Sequence, residues 1–513
     1  MQTRNISAMK LIFPMKFVDS CHKVYGSFGE YSTLFSKSGY PKAGRRLCPY
    51  VSTLIQRNFA MPHIFSAQQR LTAAERIIQH VAKALDLPLS LRLWDGTTLP
   101  LGKDADPERF FSIDDAGVFG ALLRRPSIET LYRLYASGHI DVHGADFMVF
   151  LELVQAHRKR IGGQQVRRRL RKGFPWPSIL PLLTAPEPAA TFSHRYSGDE
   201  TGYSKQRRKN KELIQFHYDV SNEFYALFLD KEMLYSCGYF TDWSNSIDQA
   251  QQDKLDLICR KLRLKPGDRF LDIGCGWGAL LCHAAQHYGV TAQGVTLSQR
   301  QHDYAAEKIA RLGLQDRVKV SLKDYLTLEG TYDKISSIGM YEHIGIANYP
   351  EYFKKVLSLL DDHGIFLNHG ITRRGKLNTK TAGRVSASRG VLLKYIFPGS
   401  ELDDIGHTIQ VMEGCGLEVY DAENLRPHYG RTCRLWDERL LANSDAAIEQ
   451  VGYEKYRMWL VYIAAVARTF DLGAMRIYQT VATKRSMIAG NVLPPTRADI
   501  YRNQEEPDLI KTD

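Results

Sequence analysis

From residue 210 to residue 485, short apolar runs alternate with longer segments whose apolar residues recur at helical spacing. The short runs predict strands at Phe270–Ile273, Thr291–Val295, Val318–Leu322, Lys334–Ile338 and Ile365–Asn368. Between them, Gln299–Leu312 and Tyr349–Leu360 predict helices. This alternation predicts an α/β fold with a mostly parallel, doubly wound sheet that carries helices on both faces.

The pattern before residue 174 is different. Leu71–Leu87 has helical spacing, and Leu89–Ile113 alternates around an Asp95-Gly96 turn signal that predicts a hairpin. Val118–Leu123 and Ile128–Ala136 predict further helices. We therefore predict a small α+β domain at 61–173, a proline-rich linker at 174–205, a large domain at 206–495 and a tail at 496–513.

Residues 1–60 contain only two acids, Asp19 and Glu30, among many basic, serine and tyrosine residues. A transit peptide has this bias, and so does an untranslated leader read as protein. A start at Met61, where the regular pattern begins, is the favoured interpretation.

Composition narrows the possible surroundings. The chain has 513 residues, of which 44% are hydrophobic, and no apolar run approaches the roughly 18 residues of a membrane span. Eight cysteines without a CxxC pair favour a reducing cytosol and predict no metal site. The net charge of +12 favours a polyanionic partner, either nucleic acid or an anionic membrane surface.

Two basic runs flank the predicted linker. The second is Lys205–Lys211, and the first comprises Arg158, Lys159, Arg160, Arg167, Arg168, Arg169, Arg171 and Lys172. These residues are either solvated charges or a surface that docks on anionic lipid, and the pattern leaves both interpretations open.

The segment Phe270–Leu280, FLDIGCGWGAL, predicts a buried strand, a glycine turn and a helix whose first N–H groups face the turn. The turn is GxGxG rather than GxGxxG, and no Walker lysine follows. With Asp272, it resembles the cofactor turn of class I S-adenosylmethionine methyltransferases.

Ligands in such sheets bind at the carboxyl ends of the strands. After the second strand come Thr296, Ser298 and Gln301, without the acid that usually holds ribose hydroxyls. Asp324 and Tyr325 follow the third strand and are placed to bind adenine. The sequence after the fourth strand lacks the Pro-Pro motif of enzymes that methylate base amines.

The segment FHYDVSNEFYALFLDKEMLYSCGYF, before the first strand of the large domain, is expected to be helical and to cover the cofactor. Together with GVTLSQRQ, GMYEHIG, KYIFPGSEL and ENLRPHYGRT, it resembles the cyclopropane-fatty-acyl-phospholipid synthases and the mycolic-acid cyclopropane synthases. The resemblance covers about Phe216 to Lys484.

The resemblance implies a seven-stranded methyltransferase sheet and S-adenosylmethionine as cofactor. It also implies the residues that hold this cofactor: Tyr235, Ser236, Asp272, Gly274, Gly276, Trp277, Gly278, Thr296, Gln301, Asp324 and Ile338.

Enzymes of this family put a methylene across an acyl double bond through a carbocation, and they bind a bicarbonate ion as the base. Their bicarbonate-holding positions match Cys237, Glu342, His369 and Tyr429. The faces of Tyr341, Tyr395 and Phe397 are candidates for cation–π stabilisation. Each of the four bicarbonate-holding candidates also has a plain structural interpretation. Cys237 could be a buried thiol, Glu342 a helix cap, His369 a structural histidine and Tyr429 a half-buried phenol.

The resemblance implies a homodimer that acts on unsaturated phospholipid acyl chains at an anionic membrane surface, cytoplasmic and peripheral on the inner membrane, with no nucleic-acid partner. C-methylation of the same alkene without ring closure is the alternative. A nucleic-acid methyltransferase and a catalytically dead lipid-binding protein are the other classes. The basic insert Arg373–Gly390 and Val466 depart from the family pattern.

Overall fold

The chain divides into two compact units between Thr191 and Phe192. The structure, a computed structural model, describes residues 64–188, 220–375, 394–396, 400–485 and 493–501. We call residues 64–188 the small unit and the described residues from 220 onward the large unit. Several predictions lie outside the described residues: the leader 1–60, the run Lys205–Lys211, most of the insert after Arg373, Phe397, and the side chains of Arg158, Lys159, Arg160 and Arg167.

The described elements of the small unit are, in chain order, α1 Ala67–Leu85, β1 Leu89–Arg92, β2 Thr98–Pro100, β3 Asp106–Ile113, α2 Gly117–Arg124, α3 Ile128–Ala136, β4 Ile140–His143, α4 Phe147–Ile161, α5 Gly163–Arg171 and α6 Ile179–Leu183. Its sheet has the order β2-β1-β3-β4. β1 pairs antiparallel with β2 and parallel with β3. The predicted α+β architecture and the hairpin around Gly96, which has φ +89°, are confirmed.

Helix α1 illustrates why the pattern was readable. Ser66 and Gln69 form a reciprocal capping box at its start. Ala74, Ile77 and Ile78 recur at helical spacing and are buried in the core of the small unit. The predicted helix is present, shifted by a few residues toward the amino terminus.

The stretch after Gly173 differs from the predicted linker. Residues 174–188 contain a short 3₁₀ turn and α6, and Ile179 and Leu182 are buried in the core of the small unit. Arg124 Nη1 donates to the carbonyls of Leu183 and Ala185 at 2.8 and 2.9 Å. The high proline content predicted a linker here. The apolar residues between the prolines instead complete a core that the sequence pattern does not reveal.

The described elements of the large unit are α7 Asn222–Ala226, α8 Ile247–Leu262, β5 Arg269–Ile273, α9 Ala279–Tyr288, β6 Thr291–Thr296, α10 Gln299–Arg311, β7 Val318–Leu322, β8 Tyr332–Ile338, α11 Tyr349–Leu359, β9 Leu360–Arg373, α12 Ile405–Gly414, β10 Leu417–Asn424, α13 Arg426–Ala442, α14 Ser444–Val451, α15 Tyr453–Asp471, β11 Met475–Lys484 and α16 Ala498–Tyr501.

The sheet of the large unit has seven strands in the order β10-β11-β9-β8-β5-β6-β7. β5 pairs parallel with β6 and β8, and the parallel pairing continues to β7 and β9. β11 runs antiparallel to both of its neighbours. The predicted mostly parallel, seven-stranded sheet is confirmed.

Each face of the sheet carries its own apolar core. On β5, Phe270 belongs to one core cluster and Leu271 to the other, as the two-residue period of a strand requires. The first cluster includes residues of α8 and α9, such as Ile258, and the second includes residues of α11, such as Phe353. The sheet is therefore doubly wound. Within the described residues, no helix is both long and apolar enough to cross a bilayer.

Candidate active site

The glycine turn follows β5 and leads into α9. Backbone N–H groups of Gly274 and Cys275 donate to the Val295 carbonyl at 2.9 and 3.1 Å, which ties the turn to β6. Gly276 has φ +54°, and a Cβ there would meet no atom within 4 Å. Gly278, at φ +81°, immediately precedes the helix. Glycine backbone, without side chains, and the first N–H groups of α9 therefore lie together at the carboxyl end of β5.

This edge of the sheet borders a cavity of about 1200 Å³, its open mouth included. Every predicted cofactor residue except Gly278 lines it. These lining residues are Tyr235, Ser236, Asp272, Gly274, Gly276, Trp277, Thr296, Gln301, Asp324 and Ile338. The structure thus gathers side chains from β5, β6 and β8 and from the loops beside them around one space.

The end of β6 supplies neutral polar groups where an acid was absent from the sequence. Thr296 Oγ1 donates to Gln301 Oε1 at 2.8 Å, and both side chains are buried. The Ser298 hydroxyl caps α10 by accepting from the Gln301 backbone N–H. Because Oε1 of Gln301 is taken, its Nε2 is the group of that side chain that remains for a ribose oxygen.

Asp324 lies after β7 and lines the same cavity. Its Oδ1 accepts from the Leu326 backbone N–H at 3.0 Å, which holds the carboxylate in place. Tyr325 lines the cavity beside it and packs edge-on against Tyr352, with ring centroids 5.4 Å apart. A fixed carboxylate next to an aromatic face suits a flat amino-bearing ring such as adenine.

Asp272 is the buried acid of the glycine turn. It accepts a hydrogen bond from the Ser336 hydroxyl at 2.6 Å. Burial raises its pKa to about 6, against the opposing effects of Ser336 and of the Lys254 ammonium. At neutral pH the carboxylate is therefore mostly ionised, and it places a negative charge in the cavity wall.

The segment that covers the cavity is not the long helix that we predicted. Among the residues of this segment that the structure describes, only Asn222–Ala226 is helical, and the chain from 227 to 246 has turns and bends, with Met233 at φ +62°. Tyr235 packs among rings, including Trp436 at 5.3 Å, and its hydroxyl is 3.0 Å from that of Tyr462. Large aromatic side chains, rather than helical hydrogen bonds, hold this lid segment in place.

Two side chains of α8 that the sequence interpretation missed support the lid segment from below. Gln251 Nε2 donates to the carbonyls of Leu234 and Ser236 at 3.2 and 2.9 Å. Lys254 lines the cavity and donates to the Ser236 hydroxyl at 2.9 Å. Helical spacing from the buried Ala250 would have placed Lys254 on the inner face, a signal that could have revealed it.

None of the four predicted bicarbonate-holding residues is among those that line the cavity. Cys237 lies in the lid segment, and the carbonyls of Gly238 and Leu425, 3.2 and 3.8 Å from its sulfur, are alternative acceptors for its one thiol proton. The backbone N–H of Tyr429 donates to the same Leu425 carbonyl, one turn into α13. Burial raises the pKa of both the thiol and the phenol, so both remain protonated donors.

Glu342 and His369 form the second pair of predicted bicarbonate-holding residues. Glu342 Oε1 accepts from the Ile371 backbone N–H at 3.0 Å, whereas Oε2 is buried and has no hydrogen-bond partner among the described residues. His369 Nδ1 is 3.2 Å from Gln479 Nε2, and its buried Nε2 likewise lacks a partner there. With the Gln479 amide in this orientation, its Nε2 donates to Nδ1, and the neutral ring then carries its proton on Nε2.

Strand register joins these two pairs. Ile371 faces Ile477 across β9 and β11, and the Leu425 N–H donates to the Ile477 carbonyl at 3.0 Å. His369 faces Ile338, a cavity residue, across β9 and β8. The four residues, which we call the donor cluster (Cys237, Glu342, His369 and Tyr429), are thus linked through adjoining strands beside the cofactor cavity.

Burial sets the protonation states in the donor cluster. It raises the pKa of Glu342 to about 7, because only two backbone N–H groups oppose the loss of solvation. It lowers the pKa of His369 well below its ordinary value, so the imidazole is neutral at pH 7. The cluster therefore offers neutral hydrogen-bond donors and one acid that exchanges its proton near neutrality.

Two of the three aromatic candidates for cation stabilisation can be located. Tyr341 is buried, donates to the Ile371 carbonyl at 3.1 Å, and its ring would overlap any Cβ added at Gly370. Tyr395 is buried, with the Lys394 ammonium 5.5 Å from its ring centroid. Phe397 lies outside the described residues.

Comparison with known proteins identifies the family. The family model described as mycolic acid cyclopropane synthetase matches residues 205–480, which is more than half of the chain. The chain belongs to the mycolic acid cyclopropane synthetase family. The predicted resemblance is confirmed, and the chain is a methyltransferase of this family that uses S-adenosylmethionine.

Relatives support the same family. A probable fatty acid methyltransferase of Pseudomonas putida is 35% identical over 422 residues, 82% of this chain and 98% of that protein. The structure of cyclopropane synthase MmaA2 from Mycobacterium tuberculosis matches with a TM-score of 0.51 and 31% identity, covering 53% of this chain and 98% of that chain. Mycolic acid cyclopropane synthase CmaA1, solved with S-adenosylhomocysteine (SAH) and CTAB, matches at 0.50 and 32%, covering 53% and 98%.

Proposed function

We propose that this enzyme transfers a methylene from S-adenosylmethionine to the double bond of an unsaturated phospholipid acyl chain, which closes a cyclopropane ring. S-adenosylmethionine supplies an electrophilic methyl group on a positively charged sulfur. Addition of that methyl to an alkene leaves a carbocation in the acyl chain, and loss of a proton from the new methyl closes the ring. The protein must therefore orient the alkene, exclude water from the carbocation and receive the proton.

The observation that carries the proposal is a pair of buried atoms in the donor cluster, Glu342 Oε2 and His369 Nε2, that have no hydrogen-bond partner among the described residues. Buried polar atoms are seldom left without a partner, so these two atoms are suited to bind a small polar guest. With the Cys237 thiol and the Tyr429 phenol, the donor set suits an oxyanion of the size of bicarbonate. When bound there, bicarbonate would serve as the base for the methyl proton.

The charge state of the cluster fits the same chemistry. A lysine or arginine would hold an anion but would also repel a neighbouring carbocation, whereas neutral donors hold it without that repulsion. Glu342, with a pKa of about 7, can donate to the anion when protonated and can take up a proton when ionised. Aromatic rings such as Tyr341 exclude water and present π faces to positive charge.

The experiment is a lipid profile of a host that makes unsaturated phospholipids, expresses the chain and is fed methionine with a trideuterated methyl group. Ring closure should retain two deuterium atoms in the added carbon, because one is lost as the ring forms. A host that expresses Glu342→Gln is the control. An unchanged lipid profile beside measurable SAH binding would refute the proposed substrate.

C-methylation without ring closure is the second candidate, and the name of the Pseudomonas putida relative favours it. A saturated methyl branch would retain all three deuterium atoms. An olefinic methylene has the same mass as the ring, so mild hydrogenation must follow. A product that takes up hydrogen is olefinic, and one that resists it contains the ring.

We also propose peripheral binding to an anionic membrane surface at the cytoplasmic side of the inner membrane. Helix α5 buries Val166 and Leu170 against α1 and exposes basic residues. The exposed basic residues are Arg168, Arg169, Arg171 and Lys172. Trp176 and Leu180, which follow in the chain, are 47% and 51% exposed. Basic and apolar side chains on one short stretch suit an anionic lipid surface.

Vesicle sedimentation tests this docking. Arg168→Gln with Arg171→Gln should weaken partition onto phosphatidylglycerol-containing vesicles roughly 30-fold, since each of the two basic residues contributes about 1 kcal/mol near such a surface. Arg109→Gln, at an exposed arginine of β3, is the matched control. Equal binding by all three proteins, or binding that does not weaken with added salt, would rule the surface out.

A further inference from the structure

A fully buried ammonium group lies in the wall of the cofactor cavity. Lys254, on α8, has 0% of its surface exposed, and its Nζ donates to the Ser236 hydroxyl at 2.9 Å. Removing an ammonium group from water costs several kcal/mol, so a buried lysine requires compensation from partners. A single hydroxyl acceptor supplies little of it, because an ammonium has three hydrogens to donate.

The neighbouring acids are otherwise engaged. Asp230 accepts from the backbone N–H groups of Leu234 and Glu232 at 2.8 and 2.9 Å. Asp272 accepts from the Ser336 hydroxyl. Among the described residues, no acid lies within 4.0 Å of the Lys254 ammonium. Its positive charge is therefore felt across the cavity without being neutralised by a direct ion pair.

The ammonium nevertheless remains mostly protonated at neutral pH. Burial lowers the pKa of Lys254 to about 8, while the negative charges of Asp230 and Asp272 and the Cys237 sulfur oppose that shift. The wall thus carries a positive group at Lys254 and a negative group at Asp272, and both border the same cavity.

We propose that Lys254 binds the carboxylate of the methionine end of the cofactor, while Asp272 faces its α-ammonium group. S-adenosylmethionine has one anionic group, the carboxylate, and two cationic groups, the ammonium and the sulfonium. A buried cation attracts only the first and repels the other two, so it fixes the direction in which the amino-acid end enters. The Ser236 hydroxyl, already bonded to Lys254, couples that carboxylate to the lid segment.

This inference rests on the assignment of the cavity to S-adenosylmethionine, and the test separates the two claims. Isothermal titration compares SAH with 5′-methylthioadenosine, which lacks the amino-acid end. Lys254→Met should weaken SAH binding about 10- to 100-fold, the range for a lost hydrogen bond between charged groups. Binding of 5′-methylthioadenosine should change less than about twofold. Equal losses for both ligands would show a merely structural lysine and overturn the proposal.

Lys261→Met is the matched control, because Lys261 is equally buried on α8 but forms an ion pair with Glu423. It should leave the ratio of the two affinities unchanged. Wild-type protein titrated with decarboxylated SAH gives a second measurement that does not depend on a variant that folds. If the wild-type protein bound decarboxylated SAH as tightly as SAH, the proposed role of Lys254 would be overturned. Failure of the wild type to bind SAH at all would instead refute the cofactor assignment.

Discussion

The cofactor cavity and the donor cluster are both buried, but their polar groups differ in their hydrogen bonding. In the cavity, protein groups bond to each other: Thr296 to Gln301, Asp272 to Ser336, and Lys254 to Ser236. In the donor cluster, Glu342 Oε2 and His369 Nε2 lack partners in the described part of the chain. The polar groups of the cavity are thus organised before a ligand arrives, whereas two polar atoms of the cluster remain available to a guest.

The two buried acids show the same contrast. Burial raises the pKa of Asp272 to about 6 and that of Glu342 to about 7. A hydroxyl and a nearby ammonium oppose the shift at Asp272, but only backbone N–H groups oppose it at Glu342. Asp272 therefore serves as a fixed charge, and Glu342 is poised to exchange a proton. Similar burial supports different chemistry because the neighbouring groups differ.

The largest effect is expected at the donor cluster. Glu342→Gln keeps the side-chain shape and an oxygen for the Ile371 N–H but cannot exchange a proton. Turnover should fall about 10²- to 10⁴-fold, the range for loss of an acid–base group, with SAH affinity within about twofold of wild type. Rates of methyl transfer from labelled cofactor and titration of SAH measure the two quantities.

Glu401→Gln is the matched control, because Glu401 accepts from the Ile346 N–H and its own N–H donates to the Glu342 carbonyl. It should retain most of the activity. Near wild-type turnover in Glu342→Gln would remove Glu342 from the chemistry and end the contrast between the two regions.

In the cofactor cavity we expect a smaller effect, on affinity for the cofactor rather than on turnover. Gln301→Leu removes the amide that accepts from Thr296 and leaves that hydroxyl without its acceptor. Affinity for SAH should fall about tenfold, in line with the loss of one or two neutral hydrogen bonds, while the rate at saturating cofactor changes little. Gln293→Leu, on β6 but bonded to Tyr332, is the control. A loss of rate at saturation would blur the division between binding and chemistry.

A third effect concerns stability against pH. The pKa of Glu342 is raised from 4.5 to about 7 in the folded chain, so the folded state binds this proton more tightly than the unfolded state. The free energy of unfolding should therefore decrease as pH rises from about 4.5 through 7. Urea titrations at pH 5 and pH 8 should show a smaller decrease for Glu342→Gln than for wild type. The same decrease in both proteins would argue against the raised pKa.

Local pattern was sufficient where one face of an element meets one core. The strands from Arg269–Ile273 to Tyr332–Ile338 and helices such as Gln299–Arg311 were predicted to within about two residues. Pattern was insufficient for the lid segment, where aromatic residues at helical spacing form a packed loop. It also failed for residues 174–188, whose apolar side chains complete a core built from distant parts of the small unit.

The candidate site divides in the same way. Most of the residues assigned to the cofactor line one cavity because they follow strand ends, and parallel strands bring their carboxyl ends to one edge. Lys254 was missed because a lysine in a helix is ordinarily solvated, although its helical spacing from Ala250 places it on the buried face. The bond between Gln479 and His369, which sets the histidine tautomer, joins residues 110 positions apart.

The sequence alone determined the order of strands and helices, the glycine turn and the family, because each depends on near neighbours or on residue identity. The protonation of Glu342, the burial of Lys254 and the unpartnered atoms of the donor cluster were decided only when distant segments packed together. Solvation is the physical reason, since the state of an ionisable group depends on whatever surrounds it in space, and that environment is assembled by the tertiary fold.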